Sequence, residues 1–235
     1  MCGRFRLSRH KQVIAERFDA ISGDDDWIPR YNVAPTQPIP VVRQHPARPT
    51  RHLSQMLWGL IPSWSKDGSH AAKMINARSE TVATLPAFKD AFRSRRCLIP
   101  ADGFYEWKGH GTYKQPYCFE VNDGGLFALA GLWDGWKAVN GQWIRSCTIL
   151  TTTANAISSA VHDRMPVILN QADYDLWLDP GMRDASTVAS LLKPFDAKAM
   201  RCYPVSARVN SVINDDAGCA EPATITSPPQ GQLFG

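Results

Sequence analysis

No apolar run in these 235 residues approaches the roughly 18–20 positions that a membrane-spanning helix needs. No CxxC occurs and no two histidines stand at ligand spacing, so a zinc site lacks a ligand set to build on. The opening residues, MCGRFRLSRHKQ, are polar and basic and contain no apolar leader core. Internal repeats and clear linkers are also missing. These absences exclude membrane, zinc-binding and exported disulfide-rich classes, and a single cytoplasmic domain is the expectation.

What is present describes an ordinary globular chain: 44% hydrophobic and 20% charged residues, with a net charge of only +4. That charge is unevenly spread. Residues 1–100 carry 16 Lys and Arg against 8 Asp and Glu, and 12 of the 16 are arginine. A basic, arginine-rich half fits one surface for a polyanion, although random clustering on a solvated face accounts for it equally well. Six cysteines lie far apart, and Cys97, Cys118 and Cys147 sit in apolar stretches where they act as small buried residues. Cys2 does not fit that pattern. It follows the initiator methionine directly, so removal of Met1 leaves an α-amine and a thiol on one residue.

The elements read as strands interrupted by glycine, asparagine and aspartate turns. IPVVRQ, HLSQMLWGLIP, CLIPADGFYEWK, PYCFEV, LFALAGLWDGW, WIRSCTILTTT, MPVILN and MRCYPVS have strand character. Ser8 is expected to cap a helix reaching about Asp19, with Val13, Ile14 and Phe18 on one face. TLPAFKDAF, ANAISSAV, QADYDLWL and TVASLLKPF also read as helical, and DDDWIPRYNVAPTQPIP reads as an irregular loop. From about residue 215 the composition shifts to Ala, Pro, Ser, Gly and Gln, which predicts a disordered tail over 215–235 after a domain of 1–214. The expected fold is α+β: one domain with a dominant, mostly antiparallel, barrel-like sheet and peripheral helices.

Several polar residues stand where a purely structural role is awkward. In KMINARSET an apolar segment runs into Asn76, Arg78 and Glu80. In PADGFYEWK, Glu106 lies between two aromatics; either it is desolvated and suited to proton transfer, or it faces water while Tyr105 and Trp107 pack. In VHDRMPVIL, His162 adjoins Asp163 and Arg164 at the junction of a helix and a strand, a position open to acid–base work near neutral pH. Trp58, Trp64 and Trp107 are either core or platforms for nucleobases.

Taken together, MCGRF, RYNVAP, WGLIPSW, INARSET, PADGFYEW and VHDRMPVIL, in that order from Cys2 to about Asn214, resemble the SOS response-associated peptidase (SRAP) family of abasic site processing proteins. The resemblance implies that Cys2, freed of Met1 by an autopeptidase activity, crosslinks to the aldehyde of an abasic site in single-stranded DNA. It implies that Asn76 orients the α-amine and that Glu106 and His162 manage protons, with lyase-type strand cleavage as the competing outcome. It also implies that Arg4, Arg78 and Arg164 contact phosphates with Thr151 as a further contact, and that Pro35, Trp58 and Trp64 border the DNA path. No metal and no cofactor are called for. A monomer that joins the nucleoid when acting on DNA is the expected state.

The chemistry suits a terminal cysteine. An α-amine with a pKa of about 7.7–8.0 is substantially unprotonated near neutrality and attacks an aldehyde directly. The resulting Schiff base is prone to β-elimination, which breaks the strand. A thiol on the same residue closes a five-membered thiazolidine, and the intramolecular step gains many orders of magnitude in effective concentration. Two other readings remain open from the sequence: an N-terminal-nucleophile amidohydrolase, in which the amine of Cys2 is the base, and a non-catalytic reader of single-stranded or modified DNA.

Overall fold

The computed structural model describes residues 2–110 and 113–224. Two mostly antiparallel sheets share one core. In the smaller, the strands run in the order Met200–Pro204, Tyr113–Val121, Gly103–His110, Phe5–Leu7, Arg30–Val33. The larger has nine strands, with Trp143–Thr153, Phe127–Lys137, Arg96–Ala101, Pro38–Gln44 and Arg51–Trp58 at its centre. Its parallel pairings are few and local, and one sets the short strand Asn76–Arg78 against Trp143–Thr153. Helices are short and peripheral, as expected for an α+β chain dominated by sheet.

The packing follows from alternation along the strands. Phe104 stacks on Phe119 across a strand pair, with ring centres 4.9 Å apart. Phe5 meets Trp58 edge to face at 5.3 Å, and both are fully buried. Such aromatic pairs add about 0.5–1.5 kcal/mol beyond the area they bury. Tyr105, one residue on from Phe104, points to the other face, where it joins a small second core with Cys118, Val205, Val209 and Cys219. Gly59 lets the chain leave the Arg51–Trp58 strand: its φ is +138°, and a Cβ there would lie 2.5 Å from the Ala71 carbonyl oxygen.

Four expectations are corrected. The first helix is only Lys11–Arg17, and His10 rather than Ser8 precedes it. Ser8 instead donates its backbone N–H and its hydroxyl to buried Asp102, and Val13 is exposed while Ile14 and Phe18 are buried. The stretch read as an irregular loop contains a strand, Arg30–Val33, bracketed by Pro29 and Pro35 and paired with Phe5–Leu7. ANAISSAV forms one 3-10 turn, Ser158–Ala160, started by the Asn155 side chain accepting from Ser158 N–H. Finally, residues 215–224 are packed rather than disordered. Asp215 accepts from the backbone N–H groups of Tyr31 and Asn32 and pairs with Arg30, Cys219 is fully buried, and Val205 bridges to Pro222. Short polar residues there cap turns against the domain, which composition alone reads as disorder. The remainder of the expected tail, 225–235, lies outside the described residues.

Candidate active site

A chain terminus ordinarily frays, but Cys2 has no exposed surface. The strand pairing that begins at Phe5 carries this order back toward the terminus. Phe5 is in register with Phe104, and Tyr105 N–H donates to the Arg4 carbonyl at 3.0 Å. This extension sets Cys2 near Glu106. Asn76 holds it from the other sheet, its Nδ2 donating to the Cys2 carbonyl oxygen at 2.8 Å. Asn76 is itself placed by its register with Ile149 and by Trp58, whose indole N–H donates to the Ile75 carbonyl at 2.9 Å. The Asn76 Oδ1 is buried without a hydrogen-bond partner among the described residues. An enclosed acceptor of this kind is costly.

Glu106 resolves the ambiguity of its motif. It is 4% exposed, on the same side of its strand as Phe104, while Tyr105 and Trp107 turn the other way. Burial raises its pKa above the ordinary carboxyl value, and the charge of nearby His162 opposes that shift. Burial also pushes the Cys2 thiol far up, and the Glu106 carboxylate adds to that effect. The thiol is therefore protonated near neutrality and requires a base in order to react. His162, held by its own N–H to the Ser158 carbonyl, has Nδ1 3.0 Å from Arg164 N–H and 2.8 Å from an Asp163 carboxylate oxygen. The two contacts are alternatives at one nitrogen: Nδ1 accepts from the backbone when it carries no proton and donates to the carboxylate when it carries one.

Because the folded-state pKa of Glu106 is raised, its stability contribution is fully present below the unfolded glutamate value and is lost as pH rises through the folded value. Glu106→Gln is therefore expected to be more stable than the wild type at pH 8 and equally stable near pH 4. Urea midpoints at the two pH values measure this, and a deficit at pH 8 would show that the carboxylate is paid for by its partners.

Glu106 and His162 open onto a cavity of about 460 Å³ whose wall also includes Arg4, Trp107, Lys114 and Asn210. Arg4 donates to Asn32 Oδ1 and the Val209 carbonyl and lies 5.8 Å from the Trp107 ring centre. Trp107 in turn donates to Asn210 Oδ1 at 2.7 Å. A larger hollow of about 700 Å³ lies between the helix Lys11–Arg17 and the strand Ala20–Ser22, and none of these groups reaches it. Among the described residues no cluster of His, Cys, Asp or Glu is arranged to hold a metal ion.

The remaining expected contacts divide. Arg78 is exposed, Pro35 is half-buried and Trp64 is 62% exposed, so all three are reachable. Trp58 is not: it has no exposed surface and serves the core and the Ile75 carbonyl, which corrects its expected place on the DNA path. Thr151 is also fully buried, opposite Arg78 in the strand register, and its carbonyl and hydroxyl oxygens accept from Arg164. It positions an arginine rather than touching a ligand itself. Arg164 is held in addition by a two-pronged ion pair with Glu80, at 2.5 and 3.0 Å.

Three participants were given no role of their own by sequence reasoning. Asn32 donates to the carbonyls of Val209, Ser211 and Asn214, so one amide fixes the segment that floors the cavity. Its neighbours in RYNVAP show nothing of this. Asn210 and Glu80 were likewise legible only as polar residues, because each acts through a partner more than 80 positions away.

The family model for SOS response associated peptidase (SRAP) matches residues 1–212. The chain is 42% identical over 218 residues to the abasic site processing protein YoqW of Bacillus subtilis (strain 168), covering 92% of this chain and 96% of that protein. It is 33% identical to the abasic site processing protein HMCES of Gallus gallus over 85% of this chain and 68% of that protein. A crystal structure of a Bacteroides thetaiotaomicron protein superposes with a TM-score of 0.84 at 28% identity, over 95% of this chain and all of that one. The fold, the ordered motifs and this likeness agree, and the chain belongs to the SRAP family.

Proposed function

We propose that this protein processes abasic sites in single-stranded DNA by forming a covalent thiazolidine with the ring-opened sugar. The observation that carries the reading is the burial of Cys2, a second residue fixed by Asn76 and set beside an elevated-pKa carboxyl group. A residue at this position has no structural need of such an environment.

While Met1 is present, the nitrogen of Cys2 is an amide and cannot attack. Once Met1 is removed, the amine adds to the aldehyde carbon C1′, forming a C–N bond, and the carbonyl oxygen takes a proton from Glu106. The added nitrogen passes its extra proton to His162, which delivers it to the carbinolamine hydroxyl, and loss of water gives the iminium. The thiol of Cys2 then adds to the same carbon, and its proton passes to the Glu106 carboxylate. The net change joins amine, thiol and aldehyde with release of one water. The same elevated carboxyl is thus acid first and base second, which requires a pKa nearer neutrality than a solvated glutamate has. If ring closure fails, the iminium remains open to β-elimination, and this is the source of a lyase side reaction. We assign removal of Met1 to the same groups, as an autopeptidase step.

Phosphates hold the strand without reading its sequence. Arg78 is exposed and is the primary contact. Arg164 reaches phosphate only by exchanging the Glu80 carboxylate, with which it is already paired. Arg78→Ala is therefore expected to lower the slope of log affinity against log salt by about 0.7, the value for one single-strand phosphate. Glu80→Gln, which removes the competitor, is expected to tighten binding and steepen that slope. Fluorescence anisotropy of undamaged oligothymidylate over a salt series reads both, and a salt-independent affinity would remove the phosphate assignment.

The reaction itself is tested by denaturing electrophoresis of the Met1-free protein with an oligonucleotide bearing one abasic site. A heat-stable band of protein plus DNA is expected without borohydride. Its absence, with DNA binding intact, favours the non-catalytic reader.

A further inference from the structure

Arginines crowd a second cavity, of about 420 Å³, at the other end of the Pro38–Gln44 and Arg51–Trp58 hairpin from Cys2. The active site adjoins Trp58 at one end of this strand pair, and Gln44 and Arg51 close the other. The seven residues of the strand Pro38–Gln44 correspond to roughly 20 Å at the usual strand rise. Arg43, Arg95, Arg96 and Arg183 line the cavity beside Ser94 and the Trp133 ring. They arrive from three places in the chain: the strand Pro38–Gln44, the step from the helix Lys89–Ser94 into the strand Arg96–Ala101, and the loop that follows the helix Tyr174–Leu178.

Their charges are not equally satisfied. Arg96 is fully engaged, donating to the carbonyls of Phe92, Arg93, Trp177, Asp179 and Met182. Arg95 shares buried Asp134 at 3.2 and 3.3 Å. Arg43 is different. It is half-buried with its guanidinium 5.1 Å from the Trp133 ring centre, its Nε is enclosed without an acceptor, and no described residue accepts a hydrogen bond from it. Burial and the like charge of Arg145 both work against its protonated form. Arg183 is exposed and its side chain also has no acceptor among the described residues. A desolvated cation without hydrogen bonds is unfavourable by itself, and an anion with several acceptors offsets that cost.

We propose that this cavity binds a phosphate group, held by the guanidinium of Arg43 from within and that of Arg183 from the rim. The planar fork of arginine matches two oxygens of a phosphate, and a tetrahedral anion has enough acceptors for more than one guanidinium, which a single carboxylate lacks. Asp134 and the neighbouring Asp179 offset only two of the four positive charges, so a phosphate enters an electropositive site. The phosphate comes either from a nucleic-acid strand extending beyond the active site or from a free phosphate ester. Only the strand source rests on the DNA-processing reading.

The test compares the wild type with Arg43→Met, which keeps an apolar cover on Trp133, and Arg183→Ala. Their melting temperatures without phosphate establish that each variant folds. Inorganic phosphate and adenosine monophosphate, each against chloride at matched ionic strength, are expected to raise the wild-type melting temperature and to bind at least tenfold more weakly to both variants. Undiminished binding by both variants, or no phosphate-specific shift in the wild type, overturns the proposal. Oligothymidylates of 6 and 20 nucleotides distinguish the sources. A salt slope reduced by about 0.7 in the variants for the 20-mer alone identifies a strand phosphate, and unchanged slopes with weakened adenosine monophosphate identify a free ester. Crosslinking of a short abasic 6-mer reads the Cys2 chemistry separately and is expected to be unaffected in both variants. Failure of that reaction in every protein, the wild type included, would remove the functional reading and leave the phosphate result standing.

Discussion

Cys2→Ala is expected to yield no adduct that survives heating, whereas the wild type yields one without a reducing agent. Freed of Met1 by an added aminopeptidase, the variant keeps an α-amine, and that amine still forms a Schiff base with the abasic aldehyde. Without the thiol there is no ring to close, so the imine partitions between hydrolysis and β-elimination. Borohydride should trap an adduct with the variant, and strand cleavage should increase relative to the wild type. A residue added before Cys2 removes the amine itself and should abolish both the spontaneous and the trapped product. Intramolecular capture in an oriented pair is worth about 7–11 kcal/mol, so the loss of stable adduct should be essentially complete rather than partial. Efficient crosslinking by a protein with a blocked terminus would identify an internal nucleophile and end the mechanism proposed here. Burial sharpens the expectation, because a fully enclosed Cys2 has few alternative partners.

The residues proposed for this reaction were legible in the sequence for a specific reason. Cys2, Asn76, Glu106 and His162 stand in short motifs whose order is itself informative, and the strand-like runs between them are marked by apolar alternation and turn residues. Burial was not legible in the same way. Glu106 between two aromatics fits either face of a strand, and only its pairing with Tyr117 across from the N-terminal strand decides that it points inward. Trp58 shows the converse. A tryptophan in a conspicuous motif looks like a ligand contact, yet its motif is needed to turn the chain at Gly59 and to hold the Ile75 carbonyl beside Asn76. The segment 215–224 was misread because its composition is that of a loop. Its order comes from Asp215 and Asn32, residues more than 180 positions apart, and no local pattern reports such a contact. The pairing of Arg164 with Glu80 was hidden for the same reason.

Arg6→Met is expected to destabilise the protein by about 3–5 kcal/mol, the cost of removing one partner from a buried ionic group. Arg6 is 9% exposed and connects two carboxylates: its Nε donates to Asp102 at 2.8 Å, and a terminal nitrogen donates to Glu120 at 2.7 Å and to the Asp102 carbonyl at 2.8 Å. Asp102 has no exposed surface and Glu120 only 3%, so neither carboxylate is rescued by water when the guanidinium is lost. Ser8 still serves Asp102, and Tyr203 and Arg201 still serve Glu120, which limits the damage without replacing the central charge. Burial alone would raise the pKa of Glu120, but hydrogen bonds from Tyr203 and Arg6 outweigh it, and its carboxyl sits below the ordinary value. That depressed value means the stabilisation is present above the unfolded glutamate pKa and is lost as pH falls through the folded one. The deficit of Arg6→Met should accordingly be large at pH 7 and shrink in acid. For a chain of this size the deficit corresponds to a fall in melting temperature on the order of 10 °C. Adding Glu120→Gln to Arg6→Met should recover part of the loss, because it removes the stranded charge. The network also bears on function. Arg6 lies on the strand Phe5–Leu7 and ties it to its neighbours four residues from Cys2, so loosening it frees the terminus from Asn76. Crosslinking by Arg6→Met should therefore slow well below its melting temperature, with little change in affinity for undamaged DNA. A melting temperature within 2 °C of the wild type would show that packing, rather than this ion network, fixes the N-terminal strand.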